Sequence, residues 1–227
     1  MNAPLPREIF KAYDIRGIVG KTLTADIVRR IGHGLGSLAV ERGQRALAVG
    51  RDGRLSGPEL ATALMEGIRQ AGIDTIDVGC VPTPVVYFAA HELGCASCVA
   101  VTGSHNPPDY NGLKMVIGGE TLAGEAIQGI RQRVDAGQLS HGNGQASSAD
   151  VQPAYLERIT GDVRLARPMK IVIDCGNGVA GAIAPQLFRA LGCELIELFC
   201  AVDGSFPNHH PDPSKPENLQ EVIRALR

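Results

Sequence analysis

Val99 to Val116 reads VAVTGSHNPPDYNGLKMV, and the preceding Ser97 and Cys98 extend its apolar start. The run Ser97–Val101 has the short, apolar character of a β-strand bounded by turn residues. It breaks into Thr102-Gly103-Ser104-His105-Asn106-Pro107-Pro108, and a second apolar run, Leu113 to Ile117, leaves the turn. Pro107 and Pro108 forbid helix and ladder pairing on the exit side. Gly103 lets the backbone turn tightly just before a hydroxyl. Ser104 is thereby offered at a strand's end on a stiff loop, with His105 beside it and Lys114 one short strand away. A fold presents a nucleophile in this way. The same residue types also dominate ordinary surface turns.

Upstream, strands and helices alternate. Phe10 to Val19 reads as an N-terminal strand and turn. Thr24 to Glu41 is helical by the spacing of Ile27, Ile31, Leu35 and Leu38. Its glycines, Gly32, Gly34 and Gly36, imply close packing against a sheet, and His33 is a structural or surface residue. A strand at Arg45–Val49 leads into Gly50-Arg51-Asp52-Gly53-Arg54. Ser56-Gly57-Pro58-Glu59 then reads as a capping box. The helix it starts buries Leu60, Leu64 and Ile68. Ile73–Val78 is the next strand. Thr83 is the N-cap of a further helix with Pro84 at its first position. This alternation predicts an α/β fold, a mixed, largely parallel sheet layered with helices. Ligands of such sheets bind beyond the carboxyl ends of the strands, where both Arg51 and Ser104 fall.

Downstream, Leu113–Ile117 is the first arm of a hairpin, and a helix runs from about Ala123 to Ala136. Ser140 to Asp150, SHGNGQASSAD, is polar and aperiodic, and His141 within it faces solvent. It marks a boundary between a first domain, 1–150, and the start of a second, similar α/β domain, 151–227. Val151–Leu165 reads as a connecting helix. Met169–Asp174, Val179–Leu191 and Cys193–Phe199 read as strand, helix and strand.

The chain of 227 residues is 44% hydrophobic with a net charge of −2. No basic block invites nucleic acid or a membrane surface, and no apolar run is long enough to span a bilayer. Met1 to Pro6 lacks a signal-peptide pattern, so a cytoplasmic protein is expected. Six cysteines suit that compartment as free thiols. Cys95 and Cys98 form C-x-x-C, but no second pair completes a zinc site, and they read as buried thiols.

The thirteen residues from Thr102 to Lys114 resemble the phosphoserine loop of the α-D-phosphohexomutase family, and most of all its bacterial phosphomannomutase/phosphoglucomutase branch. Leu113 stands where that loop has Phe as often, a difference of packing. Tyr13-Asp14-Ile15-Arg16-Gly17 resembles the family's opening motif. The resemblance implies that Tyr13 touches substrate and that Arg16 lies near the phosphoserine, where a guanidinium suits a phosphoryl group. The Arg51 segment resembles a further motif; Arg51 is expected beside the loop, with Asn106 as internal support, or else in a local ion pair with Asp52.

The implied reaction interconverts hexose 1-phosphate and hexose 6-phosphate through a phosphoserine at Ser104 and a 1,6-bisphosphate intermediate. Glucose 1,6-bisphosphate is the implied activator. Lys114 and Mg2+ would offset charge. His105 either moves the proton or orients the loop. The family holds Mg2+ through the phosphoserine, here Ser104, and a D-G-D-G-D-R loop. No such run occurs in this chain. By the family's spacing it would begin shortly after Arg227, so the remaining metal ligands are expected beyond Arg227. The family's sugar-reading and phosphate-gripping loops of later domains are not found either. A truncated, inactive N-terminal half is therefore expected, with the missing C-terminal domains as its partners.

Three other readings compete. Gly176-Asn177-Gly178-Val179-Ala180-Gly181 fits G-x-G-x-x-G between a strand and a helix, with Glu197 placed for a ribose. It also resembles the opening of the family's second domain, where no dinucleotide binds. A non-catalytic phosphate-binding or assembly module is the second. A Ser104/His105 hydrolase is the third, but no G-x-S-x-G elbow is present. Phe206-Pro207-Asn208-His209-His210-Pro211-Asp212-Pro213 looks like a metal site at first sight; three prolines argue for a structural loop.

Overall fold

Strand and helix alternate from Ile15 to Val101 in a computed structural model, which describes residues 3–227. In chain order these are β1 (Ile15–Ile18), α1 (Ala25–Glu41), β2 (Ala46–Arg51), α2 (Gly57–Gln70), β3 (Asp74–Cys80) and α3 (Thr83–Glu92). β4 (Cys98–Val101), β5 (Tyr110–Ile117), β6 (Glu120–Thr121), α4 (Glu125–Asp135) and β7 (Ala146–Ser148) follow. They build one sheet in the order β1-β5-β4-β2-β3-β7, with β6 paired to β5. The section β4-β2-β3-β7 is parallel. β5 runs antiparallel to β1, β4 and β6.

Side chains two apart on a strand share a face. Leu47, Val49, Val99 and Val101 therefore point to one side, into a core with α1, α2 and α4. Ala48, Cys98 and Ala100 point to the other, against Val85, Val86 and Ala89 of α3. β4 is buried on both faces, which is why it reads as an unbroken apolar run.

The glycines of α1 serve helix contacts instead of sheet contacts. A Cβ at Gly32 would stand 2.3 Å from the Leu64 carbonyl oxygen of α2. Gly67 answers from α2, its Cβ position 1.9 Å from the Arg29 carbonyl oxygen. The two backbones meet where neither carries a side chain.

Several local expectations are corrected. Ser56 makes no capping bond; its hydroxyl accepts from Asn111 Nδ2 at 2.9 Å, so a tertiary partner has displaced the local one. Thr83 is already the first helical residue, and Pro82 holds the cap position. The N-terminal strand is confined to Ile15–Ile18. Ala146–Ser148, within the stretch read as a loop, adds a parallel edge strand to β3.

The rest of the chain is α5 (Gln152–Asp162), β8 (Lys170–Asp174), α6 (Ala184–Ala190), β9 (Glu194–Leu198) and α7 (Gln220–Ala225). β8 and β9 pair in parallel. The helix expected from Val179 to Leu191 is interrupted at Ile183, with a 3-10 turn before it. Ile183, Pro185 and Cys193 are the buried apolar side chains beyond Val151 among the described residues. Val151 and Ile183 join the α3 side of the first core, and Tyr155 meets Phe88 edge-on at 5.4 Å. Among the described residues no helix is long and apolar enough to cross a membrane.

Candidate functional site

β2 and β4 are parallel neighbours, so the segments leaving their carboxyl ends lie side by side. One segment is Asp52–Arg54, the other Thr102–Pro108. Asp52 Oδ2 accepts from Thr102 Oγ1 at 2.8 Å and from the Gly103 N–H at 3.1 Å. Thr102 Oγ1 in turn accepts the Ser104 N–H at 3.0 Å. Ser104 is exposed and its φ is +53°, a left-handed conformation that costs a non-glycine residue free energy. Its Oγ lies 3.4 Å from His105 Nδ1.

The turn is wrapped around one guanidinium. Arg54, only 1% exposed, donates from Nη1 to the carbonyls of Pro107 at 2.6 Å and Tyr110 at 3.0 Å. From Nη2 it donates to Ser104 at 2.9 Å and Asn106 at 2.7 Å. Its Nε stands 3.3 Å from Asp52 Oδ2. Burial presses the guanidinium below its ordinary pKa and Asp52 opposes that; Arg16 adds to the downward push as a like charge. Gly103 is required here, because its Cβ would fall 2.2 Å from Arg54 Nε.

Sequence reading placed loop support on Arg51 and missed Arg54. Arg51 ends β2 opposite Cys80 of β3, where its charge opposes the rise that burial gives the Cys80 thiol pKa. The signal was present: Arg54 is the second arginine of the same five-residue motif. Asn106 braces the turn from within, donating from Nδ2 to the Gly103 carbonyl at 3.0 Å.

Arg16 on β1 pairs with Asp14, and its buried Nε has no partner among the described residues. Lys114 lies opposite Ala100 of β4, with Nζ 3.9 Å from Asp14 Oδ2. Asp14 thus stands between two cations, a role the sequence reading did not assign. Tyr13 is 78% exposed.

Across from the loop lies the Gly176–Gly181 turn. Gly178, Ala180 and Phe206 join Asp52, Thr102 and Ser104 around a cleft of ≈ 210 Å3. The glycine pattern is used by the chain itself. A Cβ at Gly181 would lie 1.9 Å from the Cys200 carbonyl oxygen, and the helix after the turn opens as a four-residue 3-10 segment. Glu197, the ribose candidate, is paired with Arg189. These features do not favour a dinucleotide.

The Phe206–Pro213 segment is tied to its own unit. His209 Nε2 lies 3.0 Å from Asp174 Oδ2, and its Nδ1 lies 2.9 Å from the His210 carbonyl oxygen. Asn208 Nδ2 donates to Asn177 Oδ1 at 2.7 Å.

Among the described residues no three His, Cys, Asp or Glu side chains converge as metal ligands. Mg2+ wants about six oxygens in octahedral array. Asp52 already accepts from Thr102, Gly103 and, through Oδ1, the Arg54 N–H at 3.0 Å. The described residues therefore do not by themselves fit that ion. Ser104 is the one expected metal ligand that falls within the chain. Those expected beyond Arg227 fall outside it, since Arg227 is its last residue.

A phosphomannomutase/phosphoglucomutase from Pseudomonas aeruginosa is 56% identical over 223 residues, 98% of this chain and 48% of that protein. A phosphoglucomutase from Neisseria gonorrhoeae is 55% identical over 227 residues, 99% of this chain and 49% of its own length. The crystal structure of a phosphoglucomutase/phosphomannomutase family protein from Burkholderia thailandensis matches with a TM-score of 0.94 at 56% identity. That match covers 98% of this chain and 50% of the other. The chain spans about half the length of the curated relatives it matches. The family's alpha/beta/alpha domain I profile matches residues 7–141, and its alpha/beta/alpha domain II profile matches residues 153–227. With both profiles in sequence along nearly all of its length, the chain belongs to the phosphoglucomutase/phosphomannomutase family.

Proposed function

We propose that Ser104 carries a phosphoryl group in a hexose-phosphate mutase reaction. The observation that carries this reading is the exposed Ser104 hydroxyl at the sheet's rim, on a turn whose backbone is tied down by Asp52 and Arg54. Residues 1–150 form the unit that bears this loop, and 151–227 contribute the opposite wall of the cleft.

In the transfer, Ser104 Oγ forms a bond to phosphorus as the bond from phosphorus to a sugar oxygen breaks. His105 Nδ1, 3.4 Å away, receives the hydroxyl proton. Arg16 and Lys114 offset the charge on the phosphoryl oxygens, so the work is positioning and electrostatics. Glucose 1,6-bisphosphate supplies the first phosphoryl group in this way, and the sugar oxygen it leaves takes up the proton. The phosphoserine then passes its phosphoryl group to the free hydroxyl of a hexose monophosphate as the bond from Ser104 Oγ to phosphorus breaks. The 1,6-bisphosphate so formed turns over and gives its other phosphoryl group to Ser104, which completes the 1-to-6 exchange. Tyr13 contacts the sugar phosphate. Mg2+ would neutralise phosphoryl charge, with the phosphoserine as one of its ligands; no step above depends on it. The reaction belongs to cytoplasmic carbohydrate metabolism.

The test is intact mass after incubation with glucose 1,6-bisphosphate and Mg2+. One added phosphate, mapped to Ser104 and lost in Ser104→Ala, is expected. Phosphate on another residue, or none, overturns the reading. Turnover of glucose 1-phosphate by residues 1–227 alone is expected to be slight.

A further inference from the structure

From Gly103 to Pro107 every backbone carbonyl of the turn has a donor. Asn106 supplies the one on Gly103, and Arg54 supplies those on Ser104, Asn106 and Pro107. The carbonyl that neither Arg54 nor Asn106 reaches is that of His105. Its donor comes from the far side of the cleft: His210 Nε2 lies 2.8 Å from the His105 carbonyl oxygen, 105 residues away in sequence. Peptide carbonyls in native structures are satisfied in this way, and the donor constrains the peptide.

His210 is not on a loose tether. Both ring nitrogens of its neighbour His209 face acceptors, the Asp174 carboxylate and the His210 carbonyl. Phe199 meets the His209 ring edge-on at 5.4 Å. Asn208 is bonded to the buried Asn177. At the start of the same segment, the Phe206 ring lies 5.3 Å from the Arg54 guanidinium carbon, over which it stacks. The segment thus reaches the Ser104 turn at two points, once through Arg54 and once directly.

We infer that His210 is a positioning residue for Ser104, the end of a strap, Phe206–His210, by which the second α/β unit sets the conformation of the turn. The consequence for phosphoryl transfer rests on the reading of Ser104 given above. The coupling itself does not. Opening of the two units would take away the His105 donor and the aromatic face on Arg54 together.

Hydrogen exchange on the protein of residues 1–227 tests the coupling. His210→Ala should speed amide exchange in peptides spanning 102–107 by roughly two- to tenfold, the effect of losing one neutral hydrogen bond. His210→Gln, which keeps an N–H donor at similar reach, should restore most of the protection. The rate at which Ser104 takes phosphate from glucose 1,6-bisphosphate should fall and recover in parallel. Unchanged exchange at 102–107 in His210→Ala overturns the inference. Faster exchange spread over 151–227 that His210→Gln does not repair also overturns it, since His210 would then serve only its own unit. If the unaltered protein takes no phosphate on Ser104, the phosphoryl reading fails, and the exchange comparison still decides the coupling.

Discussion

Arg54 Nη2 donates to the carbonyl of Ser104 at 2.9 Å across 50 residues of sequence. The residue that would carry phosphate is thus held by its main chain, which leaves the hydroxyl free. The guanidinium fork matches this task because it offers several donors in one plane.

Arg54→Ala should therefore destabilise the protein strongly. It leaves the Asp52 charge without its cation and takes a donor from four carbonyls, a loss on the order of 3–5 kcal/mol, as for breaking other buried ion pairs. Arg54→Lys should recover only part of it, because an ammonium cannot span the same acceptors. Urea unfolding midpoints check both. A wild-type midpoint in Arg54→Ala would show that the turn holds itself.

Ser104 adopts φ +53° without being glycine. Ser104→Gly should be more stable than Ser104→Ala by roughly 1 kcal/mol, because alanine keeps the left-handed penalty and glycine removes it. Neither variant can take phosphate. Thermal melts of the two proteins, side by side, decide the matter; equal stability would mean that the turn relaxes.

His209 gives stability a pH dependence. Burial works to lower its pKa, but the His210 carbonyl and Asp174 outweigh that, and the value ends above the ordinary 6.5. A raised folded-state pKa contributes stability that is complete below about 6.5 and fades as pH rises through the folded value. The stability difference between wild type and His209→Gln should accordingly shrink from pH 6 to pH 8.5. A difference that grows over that range would mean the ring is held neutral.

The thiols of Cys98 and Cys175 are pushed up to about 12, chiefly by burial. At pH 8 only ~10⁻⁴ of either would be thiolate, the reactive form. Both should stay unmodified by a disulfide reagent in the folded protein and react once urea unfolds it. Peptide mapping reads this out. Prompt labelling of Cys98 in the native state would revive a chemical role for the Cys95-Cys98 pair.

The alternation of elements was legible in the sequence because each strand and helix writes its own period into neighbouring residues. Ser104 at a strand's end and the flanking prolines were legible for the same reason. Local signals failed where a distant group outbid the local one. Ser56 gave its hydroxyl to Asn111, and the helix glycines met another helix. Ala146–Ser148 became a strand only because the free edge of β3 accepted it.

The sequence by itself determined where a hydroxyl sits on a stiff turn, with arginines and a lysine near it in the chain or one strand away. Tertiary structure alone decided which cation holds the turn, Arg54 and not Arg51, and that His210 completes it. Those bonds join residues 50 to 105 positions apart. No local pattern encodes them, because they exist only once parallel strands have brought their ends together.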